Sequence, residues 1–554
     1  MSASGEASPG LGAAGEPRDE TLEPGGEDQA EGERDEMLPE LIPHDHVALH
    51  VPKRAPVLTA VVLGMSMQSL DATIANVALP HMQATLSATQ DTVTWILTSY
   101  VLAAAVALPL TGWLVDQFGS KRLLLFSVIT FTLASAMCGA AQNLTQMVLF
   151  RVMQGLAGAF LLPLAQTIML DVSTPRERPR LMMIFTQVVM IAPIMGPVLG
   201  GYLTENLGWR WAFYINVPVG ALCIFLVLAY MPATRTRKRP FDLFGWALVA
   251  VAMTAVQLML DRGGQRDWFD SGEIFFYLVL ALCAAWMAVV HIGTAAHPIF
   301  NPAVFKDRNF FVALVLMWLI GLVMMSMMAL MPSLLQSLYG YTTIDAGMLM
   351  TPRGVGMILS TFLLGRHMQR MDQRLLLIAG LGLTGVSMLM MSTWALDMPV
   401  SVIIATGVLQ GLALSFTFVP LNIVGFATLD PALRTDAVSL SNLVRNIGSS
   451  VGVAVCTVLL SRGIQINHAE LGERIDLSGL PVSLDQLAPL GSAREAAMRV
   501  ADGLVNQQAA MIAYDNDFLI MGGFCLLLLP LMLIVKKPPR IPAAPGPAAA
   551  DIPH

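Results

Sequence analysis

Charge is scarce in this chain. Only 13% of its 554 residues are charged, while 55% are hydrophobic, against about 25% charged in a typical soluble domain. A single water-soluble fold would lack the polar surface to cover so much apolar material. Cysteine is equally sparse. Cys138, Cys223, Cys283, Cys456 and Cys525 all fall in apolar blocks without CxxC spacing or histidines in metal-ligand register, so neither a disulfide framework nor a zinc site is expected. No GxxxxGK[ST] phosphate loop is present, which argues against ATP as the energy source. There is no HExxH, and no Ser-His-Asp arrangement is evident; the nine histidines are scattered. The sequence predicts no enzyme, cofactor, metal or nucleic-acid partner.

What is present is apolar sequence in blocks of roughly 20 residues, the length a bilayer core demands. The fold class is an all-α polytopic membrane protein with fourteen spanning helices. They are expected near 57–79, 92–115, 122–141, 147–169, 181–204, 211–231, 241–260, 274–293, 310–332, 346–365, 375–394, 399–424, 437–461 and 514–535. Residues 1–54 read as a disordered acidic tail that holds 13 of the 39 acidic residues, too polar to bury a core. No signal peptide is recognised in it. The 36 methionines suit either adaptable binding of apolar ligands or plain lipid contact.

Basic residues orient the helices. With the N-terminus inside, 22 of the 32 Lys and Arg fall on the inner side and seven on the outer, and Arg151, Arg353 and Arg445 lie within helices. Both termini are therefore expected to be cytoplasmic. An internal repeat sets the architecture. Gln154-Gly155-Leu156-Ala157 recurs as Gln410-Gly411-Leu412-Ala413, Pro175 and Arg178 as Pro431 and Arg434, Gly196-x-x-x-Gly200 as Gly448-x-x-x-Gly452, and the Gly112 loop as that at Gly365. Two parallel six-helix bundles, 55–235 and 301–540, then flank two inserted helices in 236–300, with a long outer loop at 462–513 and a second tail at 541–554. Such a pair of repeats around a central site is transporter architecture.

Four sequence words carry the chemistry. Leu70-Asp71-Ala72-Thr73-Ile74-Ala75-Asn76 sets a carboxylate at membrane depth, where acids are costly and usually functional. Asp71 is either a proton-binding group or a hydrogen-bond anchor for Thr73 and Asn76. Gly112 to Arg122, containing Asp116, Gly119, Lys121 and Arg122, forms a tight turn. Its Asp116 can grip a basic group or helix end of the other bundle in one conformation and release it in another, while Lys121 and Arg122 can equally well just set topology. The second copy has Gln369 in place of Asp116, and Asp372 in place of Gly119. Phe150-Arg151-Val152-Met153-Gln154 places a permanent charge in the fourth helix, absent from the second repeat, where Gly407 stands. Arg151 needs a partner or cavity, or snorkels from the helix end. Finally, Gly196, Pro197, Gly200 and Gly201 give the fifth helix a flat contact face and a loosened backbone.

Together with Gly208-Trp209-Arg210-Trp211, Leu260-Asp261-Arg262-Gly263 and Asn442-Leu443-Val444-Arg445, these words resemble the major facilitator superfamily, in its fourteen-helix drug:proton antiporter branch of the EmrB/QacA type, with the strongest likeness to EmrB-type permeases. The resemblance runs from about 57 to 535. It implies a proton-coupled multidrug exporter of the bacterial inner membrane, working by alternating access and conferring antibiotic resistance. It further implies proton coupling by Asp71 with Arg151, a conformational latch at Gly112–Arg122, and an antiporter signature at Gly196–Gly201. Asn76, Gln154 and Arg445 are candidates for the substrate cavity. The partners implied are a small apolar substrate, protons, the lipid bilayer, and a periplasmic adaptor with an outer-membrane channel. Helix-13 carboxylates that some relatives use for cationic drugs are lacking, which favours neutral or weakly acidic substrates. The alternatives are a dedicated exporter of one siderophore or lipid, or a non-transporting receptor or assembly subunit.

Overall fold

The computed structural model describes residues 51–473 and 493–534, apart from 52, 175–176, 235, 237, 265, 267, 366–370 and 431–432. The two tails, Arg235 and Arg237, Pro175, Pro431 and Gln369 lie wholly or largely outside the described residues. Among the described residues fourteen long helical segments run in order: α1 Arg54–Thr85, α2 Trp95–Phe118, α3 Ser120–Ala140, α4 Leu144–Val172, α5 Arg178–Asn206, α6 Trp211–Tyr230, α7 Leu243–Gly263, α8 Gly272–Thr294, α9 Arg308–Ser337, α10 Thr343–Gly365, α11 Gln373–Met391, α12 Val400–Ala427, α13 Arg434–Gly472 and α14 Ala493–Leu527. Among the described residues thirteen are long and apolar enough to cross a membrane. The other, α10, has 23 residues and carries Arg353 in its middle. All-helical structure follows from the bilayer rule that backbone polar groups must be satisfied within the segment.

The repeat is visible in how glycines seat helices. A Cβ at Gly196 or Gly200 of α5 would run into Thr73 and Ile74 of α1, and one at Gly448 or Gly452 of α13 would run into Trp318 and Leu322 of α9. The fifth helix of each unit therefore lies against the first through small residues, as bilayer packing favours. Pro193 and Pro197 are accommodated without interrupting α5. Large apolar side chains such as Phe126, Leu133, Phe225, Leu282, Trp286 and Phe362 are exposed, as a lipid-facing perimeter requires.

Two helices outgrow their expected bounds. α13 has 39 residues, about 58 Å at 1.5 Å per residue, whereas the hydrocarbon core is about 30 Å thick. α14 begins at Ala493. The segment expected to be an outer loop, 462–513, is therefore helical at both described ends. The extensions brace one another: Gly463 faces Ala513, Asn467 donates to the Ala509 carbonyl at 3.2 Å, and His468 meets Asp502 at 2.9 Å. Intrahelical hydrogen bonds and this pairing hold a polar sequence helical where hydropathy alone suggested an irregular connection.

Candidate functional site

Asp71 stands in the middle of α1, 2% exposed, and Arg151 in α4 is 1% exposed. The Arg151 Nη1 donates to Asp71 Oδ2 at 2.6 Å. Gln154 Nε2 donates to Oδ1 at 2.7 Å and Asn216 Nδ2 to the same oxygen at 3.1 Å. Three helices thus converge on one carboxylate. The guanidinium is also fixed: Nε donates to the Ile96 carbonyl at 3.1 Å, Nη1 to Gln154 Oε1 at 2.9 Å, and the Tyr100 ring lies 4.3 Å beneath its carbon. A buried pair is tolerated only where such additional bonds offset the desolvation of both ions.

The geometry decides the alternatives for these residues. Arg151 is a buried ion-pair partner and not a snorkelling helix-end side chain. Thr73 does not anchor Asp71, since its hydroxyl donates to backbone carbonyls of Ser69 and Leu70. Asn76 is exposed and outside the cluster. Gln154 belongs to the ion-pair cluster and is 0% exposed, so in this conformation it is no cavity-lining residue. Asn216 was not marked by the sequence: its polar side chain, in an aromatic interfacial word, was the available signal. It also donates to Ser135 at 2.9 Å.

A second charge cluster lies at the end of the molecule where α1 begins. Asp116, at the end of α2, pairs with Arg239 Nε at 3.2 Å, and Arg239 makes two parallel bonds of 3.0 Å to Asp436 in the first turn of α13. Asp116 is thereby linked to the second bundle through an arginine supplied by the connection to the inserted helices. Burial disfavours the Arg239 charge, but the hydrogen bonds it donates to Asp436, then the charges of Asp436 and Asp116, overcome this and raise its pKa above the ordinary arginine value. Gly112 lies so close to Asp436 that a Cβ would collide with the carboxylate. Gly119 has φ +83°, a left-handed conformation that glycine adopts without strain, and Thr234 lies against it. Lys121 donates to the Met231 carbonyl, while Arg122 is exposed.

Further inward on that side, Gln166 of α4 donates to Asn422 of α12 at 2.7 Å and accepts from Asn442 of α13 at 3.3 Å. These amides and the Arg239 clamp join the two bundles. Away from them, a cavity of about 640 Å³ opens between α2 and α7, lined by Thr98, Gln257, Asp261 and Arg266 among others.

The pattern of the Major Facilitator Superfamily matches residues 61–453. The chain belongs to that superfamily. It is a transporter, not an enzyme. The "Multidrug export protein EmrB" of Escherichia coli (strain K12) is 33% identical over 484 residues, covering 86% of this chain and 94% of that protein. The "Probable multidrug resistance protein EmrY" of the same strain is 34% identical over 490 residues, covering 87% and 95%. These similarities place the chain in the EmrB-type branch. Among solved structures, a double-Trp mutant of XylE aligns with TM-score 0.58 at 12% identity over 87% of this chain and 95% of that one. Human MFSD10 aligns with TM-score 0.57 at 13% identity over 87% and 100%. At such identities the likeness concerns the fold.

Within this superfamily fold, the remaining sequence words are separate from the charge clusters. Gly196 and Gly200 pack α5 on α1, and Gly201 faces Ile344 of α10. Pro197 lies inside the continuous α5. Arg445 donates to Asn442 at 3.0 Å, which ties it to the amide bridge between bundles. Asp372 caps α11 by accepting from the Arg374 amide at 3.1 Å. Asp517 in α14, which no sequence word pointed out, is 2% exposed.

Proposed function

We propose that this superfamily member is a proton-coupled exporter of apolar compounds, a multidrug efflux transporter of the bacterial inner membrane with both termini cytoplasmic. The observation that carries the reading is the Asp71–Arg151 contact, 2.6 Å long and sealed from solvent. A proton and the Arg151 guanidinium compete for the same carboxylate. Protonating Asp71 releases Arg151, whose charge must then find other acceptors. That exchange converts a proton into a rearrangement of α1, α4 and α6. The names of the relatives EmrB and EmrY support drug export as the purpose.

In the same reading the Arg239 clamp closes the cytoplasmic side. The present conformation is then sealed inward, and substrate loads from the cytoplasm or inner leaflet after Asp116 and Asp436 let go. Each charge that crosses the membrane contributes about 2.3 kcal/mol per 100 mV, enough to bias export against a substantial gradient. The α13–α14 extension projects from the opposite side, a surface suited to a periplasmic adaptor that leads to an outer-membrane channel. The test uses purified protein in liposomes with a pH-sensitive dye, an imposed pH gradient and a panel of apolar toxic compounds. Compound-dependent proton release in wild type and none in a folded Asp71→Asn variant is expected. Undiminished release in that variant removes Asp71 from the mechanism.

A further inference from the structure

Arg353 sits in the middle of α10, 6% exposed, where α5, α9, α10 and α12 meet. Its surroundings differ in kind from those of Arg151. Among the described residues no carboxylate pairs with Arg353. Its Nε is buried without an acceptor, and Nη1 has only the Met328 sulfur, at 3.5 Å. The cleft into which it is set is apolar and, at about 10 Å³, closed in this conformation. Five of the ten lining residues are methionines: Met190, Met324, Met325, Met328 and Met357. The cleft lies between bundles, since Val189, Met190, Pro193 and Ile194 come from α5 while the rest come from the second repeat.

A guanidinium cannot shed its charge in a protein, and a buried charge without a partner is strongly disfavoured. A structural role is a poor explanation, because Arg353 holds no other side chain in place. The methionines can reshape themselves around different apolar bodies, but a thioether sulfur is only a weak, uncharged acceptor for a guanidinium. From the unpaired guanidinium at this seam between the bundles, we propose that Arg353 is the anchor for the anionic group of the transported compound, so that the site, when the bundles part, takes apolar molecules bearing one carboxylate. The assignment rests on the export reading above and gives it a substrate class. An Arg–carboxylate contact formed away from water has the planar, two-bond geometry this side chain favours. The apolar remainder then lies against methionine.

The experiment uses the full chain in nanodiscs, with 1-pyrenebutyrate and its methyl ester as fluorescent probes and empty nanodiscs as the partition control. Wild type should bind the carboxylate at least about ten-fold more tightly than the ester, equivalent to about 1.4 kcal/mol. In Arg353→Gln the preference should fall to about two-fold or less, with ester affinity unchanged. Arg353→Lys, which keeps the charge and loses the planar fork, should fall between the two and serves if the Gln variant does not fold. Equal binding of acid and ester by wild type, tighter binding of a pyrene quaternary ammonium, or a preference that survives in both variants would overturn the assignment. Binding is read without proton movement. A chain that shows the Arg353-dependent preference but keeps coupling in Asp71→Asn loses the proton mechanism and retains the anion site; the converse result does the reverse.

Discussion

The two repeats place the same backbone contact under opposite electrostatics. In the first, Gly155 of α4 lies on the Tyr100 carbonyl of α2; in the second, Gly411 of α12 lies on the Arg353 carbonyl of α10. Four residues before each glycine stand Arg151 and Gly407. The first repeat thus has its guanidinium on the fourth helix, stacked on Tyr100 and bound to Asp71. The second has its guanidinium where Tyr100 stood, and the neighbouring fourth-helix position is bare. Trp318 and Leu322, on the α9 face against α13, supply no acid. One half of the molecule closes its charge internally and the other leaves a positive charge to be met. A duplicated scaffold needs only its small residues to be kept for packing, and the polar positions beside them are free to diverge.

The sharpest way to break this contrast is Arg151→Ala. It orphans Asp71 in a dry site, and removing one partner of a buried pair costs about 3–5 kcal/mol. Thermal unfolding in nanodiscs should show the loss, with Asp71→Asn/Arg151→Ala recovering part of it because no bare charge remains. Next in size, Gly411→Val should strike the Arg353 carbonyl directly, since a Cβ there has no room. Overpacking of this kind costs about 1–3 kcal/mol, and Gly155→Val should match it if the two contacts are equivalent. A much smaller cost for either would show that the repeats pack differently.

Smaller effects test the clamp. Arg239→Gln removes the link from Asp116 to Asp436, a partly exposed network worth on the order of 1 kcal/mol after solvent screening. Hydrogen exchange in the first turns of α13 should quicken, while the Asp71 cluster keeps its protection. Smallest of all is Glu177→Gln. Glu177 accepts from the Thr174 amide and hydroxyl and from Arg54, which together hold its carboxyl below its ordinary value of 4.5. Its contribution is therefore fully present above that value and fades as pH falls through the lower folded one. The variant should lose less than about 1 kcal/mol at neutral pH and show less acid sensitivity.

Much of the fold was legible because bilayer length, glycine spacing and the offset of the repeats are properties of order along the chain. Asp71 and Arg151 were legible as well, since a charge inside an apolar run announces itself. Asn216, Arg239 and Asp436 were not. Arg239 lies in a basic stretch that topology alone explains, and Asp436 looks like an ordinary first-turn acid. Arg353 was visible as a charge in a helix but not as an unpaired one. The described ends of the 462–513 segment differ from the expected loop because hydropathy measures membrane affinity, whereas these helix extensions rest on pairing with one another.

The sequence by itself determined that this protein spans a bilayer as two six-helix copies with an insertion, because hydrophobic length and repeated small residues act locally and in series. Only the tertiary structure decided which charges are answered. Asp71 and Arg151 are 80 residues apart and Asp116 and Asp436 are 320 apart, and whether such groups meet depends on helix rotation and crossing. A rotation that moves a side chain by a few ångströms separates a satisfied ion pair from a charge that waits for its ligand.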